Sequence, residues 1–210
     1  MLPRFHLLTG PPTLDATSLE RVLDVLRAAA AGGGPGVDAV QVRAKRAADR
    51  EVVDWTRALV AATRGTTTRV IVNDRLDLAL AAGADGVHLG REDLAVADAR
   101  ALVDPGLLIG ATCRRPEHAV EARRDGADYV GVGPVHASRT KPELTCVIGQ
   151  GVLAAAAREA WTIAIGGITA ARVPDALAAG AHGVAVASAV WDDADPPRRA
   201  QEIAELVHAR

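Results

Sequence analysis

Asp74 and Asp93 each close a short apolar run, Val70-Ile71-Val72-Asn73 in one case and Val87-His88-Leu89-Gly90 in the other. Runs of this kind read as strands of a parallel sheet, and parallel α/β folds bind ligands at the carboxyl ends of their strands. Two carboxylates placed there can share one hard cation. Mg²⁺ is usually held by one or two protein carboxylates together with substrate phosphates. The competing reading is local: Asp is a good helix N-cap, and each acid stands just before a stretch of helical character.

Gln41, Arg43 and Lys45 fall at alternate positions near the end of another apolar run, so an extended chain puts all three on one face. Arg supplies a planar fork and Lys a mobile point charge, a pairing suited to an anion. Asn73, next to Asp74, can donate to a phosphate oxygen. The long stretch 134–148 reads as a lid or binding loop. Its Ser138, Thr140 and Lys141 offer hydroxyls and a charge able to close over an anionic ligand. Gly166-Gly167 and Ala187-Ser188 each follow an apolar run near the C-terminal end of the chain. Glycine admits close backbone approach, and in barrels the last two strand loops commonly hold a phosphate. Of the histidines, His88 reads as a satisfied interior residue, whereas His6 and His136 fall where a ligand would be near. Cys113 reads as a small buried apolar residue.

These residues need a scaffold that brings strand ends together. Apolar runs at 5–9, 39–43, 69–73, 86–90, 107–112, 129–133, 162–166 and 183–188 read as strands. Helical stretches lie between them: one capped by Ser18 and running to about Ala31, one opening at Asp49, and a last one from about Pro196 to Val207. Eight strand–helix alternations point to an α/β fold of the (β/α)₈ TIM-barrel type, a single domain over 1–210. A doubly wound open sheet is the alternative. Strand parity then assigns faces. Val40, Val42, Val87, Leu89, Val130, Val132, Ile163, Ile165, Val184 and Val186 point outward to the helices. Gly131, Gly133, Ala164, Gly166, Ala185 and Ala187 point inward, which predicts a hollow on one side of the mouth.

Composition excludes several classes. A formal net charge of −2 provides no field that favours nucleic acid or an anionic membrane. Phe5, Trp55, Tyr129, Trp161 and Trp191 are scattered and form no base-stacking platform. Cys113 and Cys146 lack the spacing of a zinc site or disulfide framework. With no secretory signal and no membrane-length apolar run, a cytoplasmic protein is expected. The oligomeric state stays open, a homo-oligomer included.

The motifs together resemble the thiamine-phosphate synthase family, also called thiamin phosphate pyrophosphorylase. Gln41-Val42-Arg43-Ala44-Lys45 is similar to its Gln-Leu-Arg-x-Lys motif. Asn73-Asp74-Arg75-Leu76-Asp77-Leu78-Ala79 and Gly83-Ala84-Asp85-Gly86-Val87-His88-Leu89-Gly90-Arg91-Glu92-Asp93 resemble its most recognisable block. Gly126-Ala127-Asp128-Tyr129-Val130-Gly131-Val132-Gly133-Pro134, Thr140-Lys141 and Ala164-Ile165-Gly166-Gly167-Ile168 follow in the family's order. The likeness covers nearly the whole chain.

The resemblance implies a transferase that joins hydroxymethylpyrimidine diphosphate to hydroxyethylthiazole phosphate, giving thiamine phosphate and pyrophosphate through a pyrimidine-methyl cation. It implies Mg²⁺ on Asp74 and Asp93. The diphosphate would fall to Gln41, Arg43, Lys45, Asn73 and Lys141, with Thr112 where the family commonly has a serine. The thiazole phosphate would fall to Ser138, Thr140, Gly167, Ala187 and Ser188. His136-Ala137-Ser138 departs from the usual aromatic-Pro-Thr. A sister family of thiazole tautomerases shares the barrel and uses a histidine just after strand six, so His136 keeps that activity as an alternative. A non-catalytic thiazole phosphate-binding barrel is the third.

Overall fold

The computed structural model of the chain describes residues 1–9, 16–31, 33–137 and 146–209. Strand and helix alternate throughout: β1 (Phe5–Leu8), α1 (Ala16–Ala31), β2 (Ala39–Val42), α2 (Asp49–Ala62), β3 (Arg69–Asn73), α3 (Leu76–Ala82), β4 (Gly86–Leu89), α4 (Val96–Ala101), β5 (Leu108–Cys113) and α5 (Pro116–Arg124). Then follow β6 (Tyr129–Val132), α6 (Gly149–Ala157), β7 (Thr162–Ile165), a 3₁₀ turn Ala170–Arg172, α7 (Val173–Ala178), β8 (Gly183–Val186), α8 (Ser188–Trp191) and α9 (Pro196–His208). The strands pair in parallel in chain order and β8 returns to β1, so the barrel is closed and has no sheet edge. This is the (β/α)₈ architecture, and the open-sheet alternative is excluded.

Helix starts follow the local chemistry. At α2 the Glu51 carboxylate accepts from the Ala48 amide at 2.8 Å, satisfying a donor that the helix leaves orphaned. At α9 Asp195 caps, its Oδ1 accepting from the Arg198 amide at 3.1 Å, with Pro196 in the first turn. Ser18 lies inside α1 rather than before it, so it is not the cap expected there.

At the amino end of the barrel an aspartate stands just before β2, β4 and β6. Asp38 Oδ2 accepts from the Arg4 and Phe5 amides at 2.9 Å each. Asp85 Oδ2 accepts from Val70 at 2.8 Å, and Asp128 Oδ2 from Ile109 at 2.7 Å. Each carboxylate satisfies an amide within the first two residues of the preceding strand, which ties the register at that end. The Gly-Ala-Asp triplets at 83–85 and 126–128 are therefore structural at their acid.

Two apolar layers fill the space between sheet and helices. Val40, Val42, Val70, Val72, Val87 and Leu89 meet Leu59 and Ile109 on one side. Val130, Val132, Ala164, Val184 and Val186 meet Leu153 and Ile203 on the other. Leu59, Ile109, Leu153 and Ile203 are fully buried, each contributing roughly 1.5–3 kcal/mol relative to exposure. Inside the barrel sits a third cluster of Leu8, Ala39, Ile71, Tyr129, Ile163 and Ala185, with Ile165 and Ala187 partly buried against it.

That interior corrects the parity of one strand. Ile163 and Ile165 point inward and Ala164 outward, the reverse of the expected faces. Register requires it, because Ala164 is level with outward Val132 and Val184, and Ile165 is level with inward Ala185. A Thr-Ile-Ala-Ile run is apolar on both faces, so its sequence carries no parity signal. The expected hollow is correspondingly reduced. A Cβ on Gly110 would strike Tyr129 and, at 2.6 Å, His88 Nδ1, and one on Gly131 would meet His88 Cε1 at 2.9 Å. The inward glycines make room for two rings rather than for solvent.

Candidate active site at the carboxyl end of the barrel

The first wall is built by β2 and β3. Gln41 is level with inward Ile71, so Asn73 lies one inward position further along β3. The Gln41 Nε2 amide donates to Asn73 Oδ1 at 2.7 Å. That bond occupies the oxygen of Asn73 and leaves its NH₂ donors for the mouth. Just past β2 the Arg43 amide donates to Thr9 Oγ1 at 2.9 Å, and the Thr9 hydroxyl donates back to the Arg43 carbonyl at 3.3 Å. Thr9 is buried, so this reciprocal pair pins the backbone that carries the arginine. Arg43 Nε is buried and has no hydrogen-bond partner among the described residues. Such an orphan donor is uncommon and calls for an acceptor.

The second feature is the acidic pair. Asp74 has φ 68°, the one non-glycine residue in the left-handed region among those described. Its amide still donates to the His88 carbonyl at 2.8 Å, so the ladder to β4 continues while the side chain turns away from the strand path. Left-handed backbone disfavours an L-residue by about 1–2 kcal/mol, and Asp tolerates it better than most. Lys45 Nζ lies 3.4 Å from Asp74 Oδ2. Asp93 Oδ2 accepts from the Gly90 amide at 2.6 Å, closing a tight turn after β4. A Cβ on Gly90 would lie 2.7 Å from Asp93 Oδ2 and 3.8 Å from Asp74 Oδ1, so glycine there lets the two carboxyl groups converge. Partial burial, and next the neighbouring Asp74, raise the Asp93 pKa above the usual carboxylate value.

Neither acid is a helix cap. The N-cap positions of α3 and α4 are Arg75 and Ala95, neither with a side-chain cap bond. The helix-cap reading of both aspartates is thereby removed, and the local bond of Asp93 is the turn it closes on Gly90. Two converging carboxylates with few other protein ligands match the needs of Mg²⁺, which retains waters and substrate oxygens in its shell. No group of three or more His, Cys, Asp or Glu side chains suited to a metal occurs among the described residues, so the pair would need a phosphate ligand to complete a site.

The third feature is a polar column from the barrel centre to the mouth. His88 is level with Gly110 on β5, and Thr112 stands one inward position above Gly110. His88 Nε2 is 3.0 Å from Thr112 Oγ1, and its Nδ1 is 3.3 Å from the Tyr129 hydroxyl. Burial raises the Tyr129 pKa far above its ordinary value, so the phenol keeps its proton. The interior place of His88 matches its expectation, while its links to Thr112 and Tyr129 are not visible in any single stretch of sequence. The signal was available, since inward positions on β4 and β5 are adjacent in any parallel register.

On the far side, Gly166 and Gly167 follow β7 with φ 93° and 64°. Their open faces are taken by the segment after β6. A Cβ on Gly166 would meet Pro134 at 2.6 Å, and one on Gly167 would meet His136 Cβ at 2.8 Å and the Ala137 carbonyl. The His136 amide donates to the Gly166 carbonyl at 3.0 Å. These glycines therefore serve close packing of two loops as well as the turn itself. Ala187 precedes α8 and Ser188 opens it, both half-buried beside the barrel interior. Ser138, Thr140 and Lys141 lie outside the described residues.

His6 and Cys113 belong to the core. His6 is 1 % exposed, its Nε2 is 3.3 Å from the Pro3 carbonyl and its ring lies 5.0 Å from that of Tyr129, so it is an interior residue and not a ligand neighbour at the mouth. Burial pushes the Cys113 thiol up to about 12, as expected for an inert apolar cysteine.

Fold and mouth together define a TIM barrel of the enzymatic kind, with its charged groups gathered at the carboxyl ends of the strands. The family model described as thiamine monophosphate synthase matches residues 9–190, and the chain belongs to that family. The thiamine-phosphate synthase of Methanoculleus marisnigri is 44% identical over 192 residues, covering 89% of this chain and 88% of the relative. That of Salinispora arenicola is 43% identical over 211 residues, covering 98% of each. Among solved structures, thiamine phosphate pyrophosphorylase from Pyrococcus furiosus superposes with a TM-score of 0.83 at 32% identity, covering 97% of this chain and 95% of that one. A 3-hexulose-6-phosphate synthase at 20% identity and TM-score 0.76, covering 97% and 99%, shares the fold alone.

Proposed function

We propose that the chain is a thiamine-phosphate synthase, transferring the pyrimidine-methyl group of hydroxymethylpyrimidine diphosphate to the nitrogen of hydroxyethylthiazole phosphate with loss of pyrophosphate. The observation that carries this reading is the convergence of Asp74 and Asp93 beside Lys45, with neither acid used as a cap. Arg43, Lys45 and the freed NH₂ of Asn73 bind the diphosphate, and the orphan Nε of Arg43 finds its acceptor there. Asp74 and Asp93 would hold Mg²⁺, which would supply Lewis-acid stabilisation of the leaving group. Cationic and N–H donors fixed before the reaction are worth most on the charge that develops as the carbon–oxygen bond breaks. Thr112 donates its hydroxyl to the same leaving group. Gly167, Ala187 and Ser188 face the thiazole phosphate, and Lys141 with Ser138 and Thr140 completes the anion sites from the loop after β6. A cytoplasmic location suits substrates of this kind. No helix among the described residues is long and apolar enough to cross a membrane.

The thiazole tautomerase reading is not favoured by the relatives. It would also leave the paired acids and the cations of β2 without a task. Incubating the protein with both substrates and Mg²⁺ tests the proposal: pyrophosphate and thiamine phosphate should appear in equal amounts. Thiazole isomerisation without the pyrimidine would select the tautomerase, and binding without turnover would select a regulatory barrel.

A further inference from the structure

We propose that His88 and Tyr129 are positioning residues that fix the proton of Thr112, so that this hydroxyl always presents a donor to the mouth. The inference rests on the reading of Thr112 as a leaving-group contact and adds what orients it. Tyr129 is 2 % exposed, and among the described residues the partner of its hydroxyl is His88 Nδ1. A buried hydroxyl must place its proton on an acceptor or lose the whole solvation of that donor. The acceptor within reach is the lone pair of Nδ1, so the imidazole carries its hydrogen on Nε2. Nε2–H then donates to Thr112 Oγ1 at 3.0 Å. The threonine oxygen is used as acceptor on its inner side, which leaves its own hydrogen for the mouth.

The opposite tautomer would reverse the chain. Nε2 would accept the threonine hydrogen, and Thr112 would show only lone pairs to an incoming anion, a repulsive arrangement. Tyr129 thus decides the sense of a hydroxyl two bonds away in the network. The inward glycines support this. Gly110 and Gly131 lack the Cβ that would strike the two rings, so the barrel centre is shaped around this column. A packing role alone would be met by Phe and Leu at these places.

The test is a double-mutant cycle of Tyr129→Phe and Thr112→Val, read as kcat/KM for pyrophosphate release and as Kd for pyrophosphate. Thr112→Val should lower kcat/KM by about 10²–10³-fold, the usual scale for a lost donor to developing charge, and Thr112→Ser should restore most of it. Tyr129→Phe should lower the wild-type value several-fold and have no effect in the Thr112→Val background. His88→Gln, whose amide can donate in place of Nε2, should retain more activity than His88→Leu. Equal losses from Tyr129→Phe in both backgrounds would overturn the proton relay while leaving Thr112 in the site. A Thr112→Val enzyme as active as wild type would instead remove Thr112 from the leaving group. Should Tyr129→Phe fold poorly by circular dichroism, the His88→Leu and Thr112→Val cycle carries the same decision. Additive losses there would overturn the proposal.

Discussion

Gln41 donates its side-chain amide to the oxygen of Asn73, across two adjacent strands and at 2.7 Å. The bond decides which end of Asn73 meets an anion: the NH₂. Asn73→Ala should weaken pyrimidine diphosphate binding by about 10–100-fold, the range for a hydrogen bond to a charged group. Asn73→Asp should weaken it further, because a carboxylate would replace the donors. Calorimetric titration with a non-reactive diphosphate analogue measures both. Equal affinities for the Ala and Asp variants would place the Asn73 amide away from the diphosphate.

Asp74 combines an unusual backbone with a proposed metal role, and the two separate by substitution. Asp74→Gly accepts φ 68° without strain, whereas Asp74→Ala does not. Melting temperatures should therefore rank Gly above Ala, by roughly 1 kcal/mol on the usual penalty for left-handed backbone. Activity should fall equally in both, with an apparent Mg²⁺ requirement raised at least tenfold, because both lack the carboxylate. Asp93→Asn should raise the Mg²⁺ requirement while leaving thiazole phosphate affinity nearly unchanged. Mg²⁺ titration of the rate at saturating substrates reads this directly. An unchanged requirement in all three variants would move the metal elsewhere.

Much of this architecture was legible from residue order. The strand runs end within a residue or two of the observed strands, because Val-rich runs broken by Gly-Ala-Asp turns carry both length and punctuation. The faces of β2, β4, β6 and β8 could be read because a Val alternates with a small or polar residue. β7 could not, since Ile stands on one face and Ala on the other with no polar residue above the first position. The positive φ of Asp74 was likewise hidden, because no neighbouring residue signals it. The Tyr129–His88–Thr112 column needs three strands in register, a relation that no single stretch displays. The glycines at 166 and 167 read as suited to phosphate approach, while their packing against 134–137 depends on the path of another loop.

His6 makes the barrel acid-sensitive. Burial, the leading cause, lowers its pKa from 6.5 to about 4. As pH falls through 6.5 the unfolded chain takes up a proton that the folded barrel refuses until about pH 4. The stability contributed by the neutral ring is therefore complete above pH 6.5 and is lost as pH falls towards 4. Its size is roughly 3 kcal/mol, at about 1.4 kcal/mol per unit of pKa. His6→Gln keeps a group able to donate to the Pro3 carbonyl but does not titrate. Urea unfolding at pH 7 and pH 4.5 should show a smaller acid loss for the variant than for wild type. An identical loss would place the acid sensitivity in other groups.

Arg43 should show opposite effects on stability and on binding. Its Nε is a buried donor with no partner among the described residues, and an unsatisfied buried donor destabilises the free protein by about 1–3 kcal/mol. Arg43→Lys deletes that atom while keeping a positive charge and the backbone bonds to Thr9. The variant should therefore melt no lower than wild type. Lysine cannot reproduce the planar fork, so pyrimidine diphosphate should bind about 10–100-fold more weakly, with the larger loss in KM rather than in kcat. Strain relieved by the ligand is the physical link between the two effects: the atom that disfavours the empty site is the one that the diphosphate satisfies. Differential scanning calorimetry with and without pyrophosphate reads both at once. Pyrophosphate should raise the melting temperature of wild type more than that of the lysine variant. An equal rise in both proteins would show that Nε gains nothing from the anion, and its orphaned state would then have no functional meaning.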